Sequence, residues 1–180
     1  MTESYVIAGT LAMGWPHKHS PSSLAMNIEI DDLTRPEVHA LLEEHLANMR
    51  ELSPADQVFA LDVAKLRAPG VTFWTAWEND ELLGCGALKE LSPTHGEIKS
   101  MRTPKTLRRK GAGRAVLQTI IEEGNSRGYL QLSLETGSHA DFKKAHALYA
   151  SAGFEYSGPF ADYLENPHSV FMALRLKRAA

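Results

Sequence analysis

The chain has 180 residues, 43% hydrophobic and 23% charged, with a net charge of −3. That length suits about one domain with a substantial core, and the composition is that of a globular protein rather than a disordered one. The acidic balance argues against a nucleic-acid partner, whose binding domains are usually basic.

Cys85 is the single cysteine. It excludes an intrachain disulfide and fits a reducing compartment, so a cytoplasmic location is expected. It lies in an apolar strand pattern, where inert packing is expected. Eight histidines offer nitrogen ligands, but their spacing fails. His39 and His45 are six apart, His17 and His19 lie in a Pro/Ser-rich stretch, and no H-E-x-x-H occurs. No metal is expected.

Taken in order, the chain starts with a short apolar run, Tyr5 to Trp15, followed by Pro16 and Pro21. The run is too short to span a bilayer and lacks the basic flank of a signal peptide. Met26 stands directly before a clean strand. Residues 1–25 are therefore expected to be a poorly ordered, dispensable extension, and residues 26–180 a single domain. Asn27 to Ile30 reads as a strand. Thr34-Arg35-Pro36-Glu37 is a capping box, opening a helix with Val38, Leu41, Leu42, Leu46, Met49 and Leu52 at helical spacing. Ser53-Pro54 predicts the start of a second helix through Val58, Leu61 and Leu66, stopped by Pro69-Gly70.

Val71 to Trp77 and Leu82 to Leu88 read as a hairpin about the turn Glu78 to Glu81. Ser92 to Gly96 predicts another turn, leading to a strand from Glu97 to Thr103. A helix follows and ends near Arg127-Gly128. Tyr129 to Thr136 alternates as a strand, with Leu130, Leu132 and Leu134 facing one way. Ala140 to Ala152 reads as the last helix. Phe154 to Ser157 and Ser169 to Leu176 are the closing strands. One strand-helix-strand crossover amid hairpins predicts a mixed α/β sheet with helices on both faces.

The stretch Glu97 to Arg114 carries the most chemistry. A strand gives way at Pro104 to a basic turn, and a helix opens at Gly111-Ala112-Gly113. Such a helix start directs free N–H groups and the positive end of the macrodipole at an anion. Arg108, Arg109, Lys110 and Arg114 add charge. The lysine precedes the glycines, which excludes a mononucleotide P-loop, and Val116 excludes the dinucleotide fingerprint. The residues alone allow a pyrophosphate cradle or merely a solvated basic helix start.

Arg-x-x-Gly-x-Gly at positions 108–113 resembles the coenzyme A turn of the GNAT acetyltransferase superfamily. Ala145-His146-Ala147-Leu148-Tyr149, followed by Gly153-Phe154, resembles a second superfamily motif, A-x-x-L-Y-x-x-x-G-F. Lys99-Ser100-Met101-Arg102-Thr103, Leu134-Glu135-Thr136-Gly137 and the run from Gly158 to Met172 resemble the YsnE-like branch of N-acetyltransferases. The resemblance covers Met26 to Leu176. It implies a GNAT-like, mostly antiparallel sheet of about six or seven strands, with acetyl-CoA as donor and no metal. It implies N-acetylation of a small-molecule amine by direct attack, and leaves room for a homodimer.

By the same resemblance, Met101, Arg102, Thr103, Arg108, Arg109, Lys110, Gly111, Ala112, Gly113, Arg114 and Tyr149 would contact the coenzyme. Glu97 would serve as base through water, and Tyr149 would protonate the departing thiolate. His45, Met49, Lys99, Arg102 and Tyr163 are candidates to line the acceptor pocket. Glu97 as an exposed strand-end carboxylate, Tyr149 as core and His45 as a packing residue are the plainer alternatives. Acetylation of protein amines, or a non-catalytic acyl-CoA sensor, are the competing functions. Two departures stand out. Phe142 occupies a position where many members carry asparagine, and the loop from Pro104 to Arg108 is one residue longer than usual.

Overall fold

Alternating apolar residues become seven strands in a computed structural model that describes residues 26–52, 59 and 62–177. The elements are β1 (Asn27–Ile30), α1 (Pro36–Leu52), α2 (Val63–Leu66), β2 (Val71–Glu78), β3 (Glu81–Ser92), β4 (His95–Arg102), α3 (Ala112–Ser126), β5 (Gln131–Gly137), α4 (Lys143–Ser151), β6 (Glu155–Ser157) and β7 (Ser169–Arg175). They form one sheet in the order β1-β2-β3-β4-β5-β7-β6. Every neighbouring pair is antiparallel except β4 with β5, which the α3 crossover makes parallel. The expected mixed, mostly antiparallel sheet is thus observed.

Local chemistry explains the joints. Asn79 and Asp80 both have positive φ, 50° and 62°, the left-handed pair that a two-residue hairpin between right-twisted strands requires. Helix α3 buries Ala112, Val116, Leu117 and Ile120. They meet Trp74, Leu83, Leu88, Ile98, Leu132, Leu134 and Met172 on one face of the sheet. Helix α1 lays Val38, Leu41 and Leu42 on the other face, against Phe73, Leu82, Cys85 and Ala87. Period two makes this possible, since Phe73 and Trp74 point to opposite sides.

Some boundaries differ from the sequence reading, and the predicted Ser53-Pro54 cap lies outside the described residues. Helix α2 is a single turn capped by the Asp62 side chain, which accepts from the Lys65 N–H, and Phe59 lies outside it. The turn predicted over Ser92 to Gly96 narrows to Pro93-Thr94, with strand on either side. The last helix begins as a 3-10 turn, Ala140–Phe142. Leu130 lies just ahead of β5, past the end of α3, and is 39% exposed.

The feature that prepares a site is a splay. The β4–β5 ladder runs from His95↔Gln131 to Ile98↔Leu134 and stops there. On its other edge, β4 carries a bulge, with Ala87 opposite Lys99 but Cys85 opposite Arg102. Ser100 sits in that bulge with φ 52°. The extra residue bends β4 away from β5. Backbone groups of residues 99–102 that point toward β5 therefore have no strand partner there.

Candidate active site

The bulge also decides which side chains meet. Without it, Lys99 and Arg102, three residues apart, would point to opposite faces. With it, both lie on the α1 face, opposite Ala87 and Cys85 respectively. Glu97 and Ser133 are register partners on that face, and Glu135 follows two residues on. Glu97, Lys99 and Glu135 therefore converge where the strands part.

Glu97 is 2% exposed, and Lys99 is 8% exposed. The Lys99 Nζ donates to Glu97 Oε1 at 3.1 Å and to the Tyr163 hydroxyl at 2.6 Å. The Tyr163 hydroxyl donates to the same Oε1 at 2.6 Å. Glu97 is thus not an exposed strand-end carboxylate but a buried member of a closed triad with Lys99 and the half-buried Tyr163. Burying an ion pair is costly unless its hydrogen bonds are satisfied, and here the phenol completes them. Burial, followed by the charge of Glu97, pushes the Tyr163 phenol well above its ordinary value, so it stays a donor. The Tyr163 ring packs against Phe59, Phe160 and Phe171, with centroids 5.0, 5.0 and 5.6 Å away.

Glu135, absent from the sequence-derived site, stands beside this triad. Its Oε1 accepts from the Ser169 hydroxyl at 2.6 Å. Burial is the largest influence on it and raises its pKa, against the Ser169 hydrogen bond and the Lys99 charge, which lower it; the charge of Glu97 adds a smaller rise. The signal that could have found it was the motif Leu134-Glu135-Thr136-Gly137. Strict alternation puts Glu135 opposite the apolar Leu134, on the face of Glu97.

Tyr149 comes from α4, on the opposite face of the sheet. It is 6% exposed, with its ring edge-on to Phe154 at 5.9 Å. Burial first, then the charge of Glu135, raises its pKa. Its hydroxyl makes no hydrogen bond among the described residues. Tyr149 and Glu135 feel each other because the splay opens the sheet between them.

The α1 side is polar and closed. The Arg102 guanidinium turns to α1, donating to Asn48 Oδ1 at 3.0 Å and Glu44 Oε1 at 2.6 Å. Its side chain is therefore committed to holding α1 against β4, and only its backbone faces the cleft. Met49 is buried. His45 is depressed to about 4, first by burial and then by the Arg102 charge, so its ring is neutral. Its Nδ1, the Ser100 hydroxyl and the Arg102 Nε are buried without a partner among the described residues. Cys85 is pushed up to about 12 by burial, which makes it inert packing as expected.

At the other end of the splay is the start of α3. Gly111 is its cap, with φ 91°. That left-handed backbone suits glycine alone among common residues, and nothing lies within 4 Å of where a Cβ would be. The first helical bond runs from the Ala115 N–H to the Gly111 carbonyl. The N–H groups of Ala112, Gly113 and Arg114 are thus free of intrahelical partners. Arg108, Arg109 and Arg114 are exposed, and among the described residues none forms an ion pair. Lys110 is different, bonding Glu81 at 3.0 Å and Glu78 at 3.4 Å and so tying the loop to the β2–β3 hairpin. Thr103 lies near the α3 start, its Oγ1 3.5 Å from a Cβ placed on Gly113. Met101 packs on the α3 core. Free N–H groups, an uncovered glycine and three unpaired arginines fit a pyrophosphate.

Among the described residues, no group of three or more His, Cys, Asp or Glu could hold a metal ion, and no helix is long and apolar enough to cross a membrane. Comparison with known proteins adds the following. The Acetyltransferase (GNAT) family profile matches residues 35–154. The chain is 58% identical to the uncharacterised N-acetyltransferase YsnE of Bacillus subtilis, over 84% of this chain and 100% of that one. It is 48% identical to the uncharacterised N-acetyltransferase YedL of Escherichia coli, over 83% and 94%. A Bacillus subtilis acetyltransferase solved in complex with CoA superposes with a TM-score of 0.59 at 22% identity, over 85% of this chain and 100% of that one.

Proposed function

The chain belongs to the GNAT family of N-acetyltransferases, and on that premise we propose that it transfers the acetyl group of acetyl-CoA to the primary amine of a small molecule by direct attack. The observation that carries this reading is the splay of β4 from β5, with a free helix N-terminus at one end and the buried Glu97 beside the half-buried Glu135 at the other. The relative solved with CoA bound supports the donor. A compact acceptor is supported by the aromatic packing beside Glu97, where Tyr163 stacks near Phe160 and bonds the carboxylate. A cytoplasmic location belongs to the same reading, supported by a lone buried thiol.

The residues have separable tasks. Arg108, Arg109, Arg114 and the N–H groups of residues 112–114 bind the pyrophosphate. Lys110 holds their loop in place rather than touching the ligand. Unpaired backbone near Met101 stabilises the oxyanion that forms as the amine attacks the thioester carbonyl. Glu97 and Glu135 put negative charge beside the incoming ammonium. That ammonium must lose a proton before it has a lone pair to attack with. His45, Met49 and Arg102 wall the acceptor side, and Lys99 and Tyr163 hold Glu97.

Tyr149 faces the sulfur. Its raised pKa keeps it protonated at any working pH but makes full transfer to a thiolate, already uphill by about 2 kcal/mol for unshifted groups, steeper still. The raised pKa supports a role as a hydrogen bond that strengthens as the C–S bond breaks. Tyr149→Phe tests this, because it keeps the ring against Phe154 and removes only the hydroxyl. In a thiol-release assay, kcat should fall about ten- to a thousandfold with KM little changed. Wild-type kcat in the variant, where chemistry limits the rate, removes Tyr149 from the mechanism. No turnover in either form, with CoA affinity intact, would identify a sensor instead.

A further inference from the structure

We infer that Glu135, not Glu97, takes the proton from the acceptor amine. The inference deepens the transferase reading above and rests on it. Glu97 and Glu135 share a face of the sheet, but their neighbours differ. Glu97 Oε1 receives both an ammonium at 3.1 Å and a phenol at 2.6 Å. Both lone-pair directions of that oxygen are thus taken by donors. Glu135 receives one neutral hydroxyl, from Ser169, and its Oε2 has no partner among the described residues.

Position points the same way. Leu134 is the last residue of β5 still paired with β4, so Glu135 is the first residue at the mouth of the splay. The groups that face it are Lys99 and Glu97 from β4, Tyr149 from α4, Tyr163 from the β6–β7 connection and Ser169 from β7. Glu135 thus lies between the tyrosine assigned to the sulfur and the triad that forms the floor. Burial raises its proton affinity, which suits a base working near neutrality.

The step balances. An ammonium N–H passes its proton to Glu135 Oε2, leaving a lone pair on nitrogen. The N–C bond forms, and the C–S bond breaks. The second nitrogen proton leaves as the amide forms and, through solvent, ends on the thiolate, whose departure the Tyr149 hydrogen bond assists. Glu135 returns its proton to water, so one proton is released per turnover. Glu97, held by Lys99 and Tyr163, fixes the floor and adds negative charge.

The test compares Glu135→Gln and Glu97→Gln with the wild type, using acetyl-CoA with ethanolamine, benzylamine or 1,4-diaminobutane. Glu135→Gln should lower kcat by about a hundredfold or more, leave CoA affinity within twofold, and abolish the acid limb of kcat/KM against pH. Glu97→Gln should keep that limb. A limb that survives in Glu135→Gln, or disappears only in Glu97→Gln, overturns the assignment while leaving the transferase reading intact. No wild-type turnover with any amine would overturn the small-amine reading and this inference together. A carboxyl 13C titration of the free wild-type protein decides without turnover. Glu135 should titrate above the ordinary glutamate value of 4.5, and a midpoint at or below it overturns the inference.

Discussion

At the scale of single residues, His45 shows how position outweighs identity. Its ring nitrogen is shut away beside the Arg102 guanidinium, and burial depresses its pKa to about 4. Above pH 6.5 the ring is neutral folded or unfolded, so it contributes no pH dependence. Between about 6.5 and 4 the unfolded chain binds a proton that the folded chain refuses, so stability falls as pH falls. Below that range the loss levels off. At 1.36 kcal/mol per pKa unit the full loss is about 3 kcal/mol. Urea unfolding at pH 7 and pH 4.5 should show the wild type losing more stability than His45→Leu. Equal losses would mean that other groups set its acid sensitivity. Phe142 answers another residue-level question. Its ring lies against Gly137, where any Cβ would collide with it. The side chain plugs the end of β5, and no amide stands there to meet a ligand as asparagine could.

Elements set what those residues can reach. The cradle is a property of the α3 start, not of any one side chain, since free N–H groups come with every helix N-terminus. What distinguishes this one is open space over a left-handed glycine. Gly111→Ala and Gly111→Glu should both fold, each losing about 1 kcal/mol for a side chain at positive φ. Only the glutamate brings a negative charge to the pyrophosphate position. Calorimetry should show a CoA affinity near wild type for the alanine variant and at least about tenfold weaker for the glutamate variant. Unchanged affinity in both would place the pyrophosphate elsewhere.

For the whole molecule, the described residues between 26 and 177 supply two apolar clusters and a seven-stranded sheet that includes β1, with Asn27 opposite Trp77. Removal of residues 1–25 should therefore leave the melting temperature within about 2 °C and CoA affinity unchanged. A clear drop in either would show that the segment packs on the domain. By itself the sequence determined the element order, the hairpin at Asn79-Asp80, the helix start at Gly111 and the motif around Tyr149. These follow from periodicity, turn chemistry and capping, which act over a few residues. Tertiary structure alone decided what each charge touches. Tyr163 reaches Glu97 from 66 positions away, and Arg102 turns to Glu44 across 58. The bulge at Ser100 sets which face each side chain takes, and no local pattern announced it. Glu135 was visible as a letter in a motif, but its place beside Glu97, Lys99 and Ser169 appears only when β4, β5 and β7 lie side by side. Desolvation and Coulomb energy depend on distance in space, and a sequence records distance only along the chain.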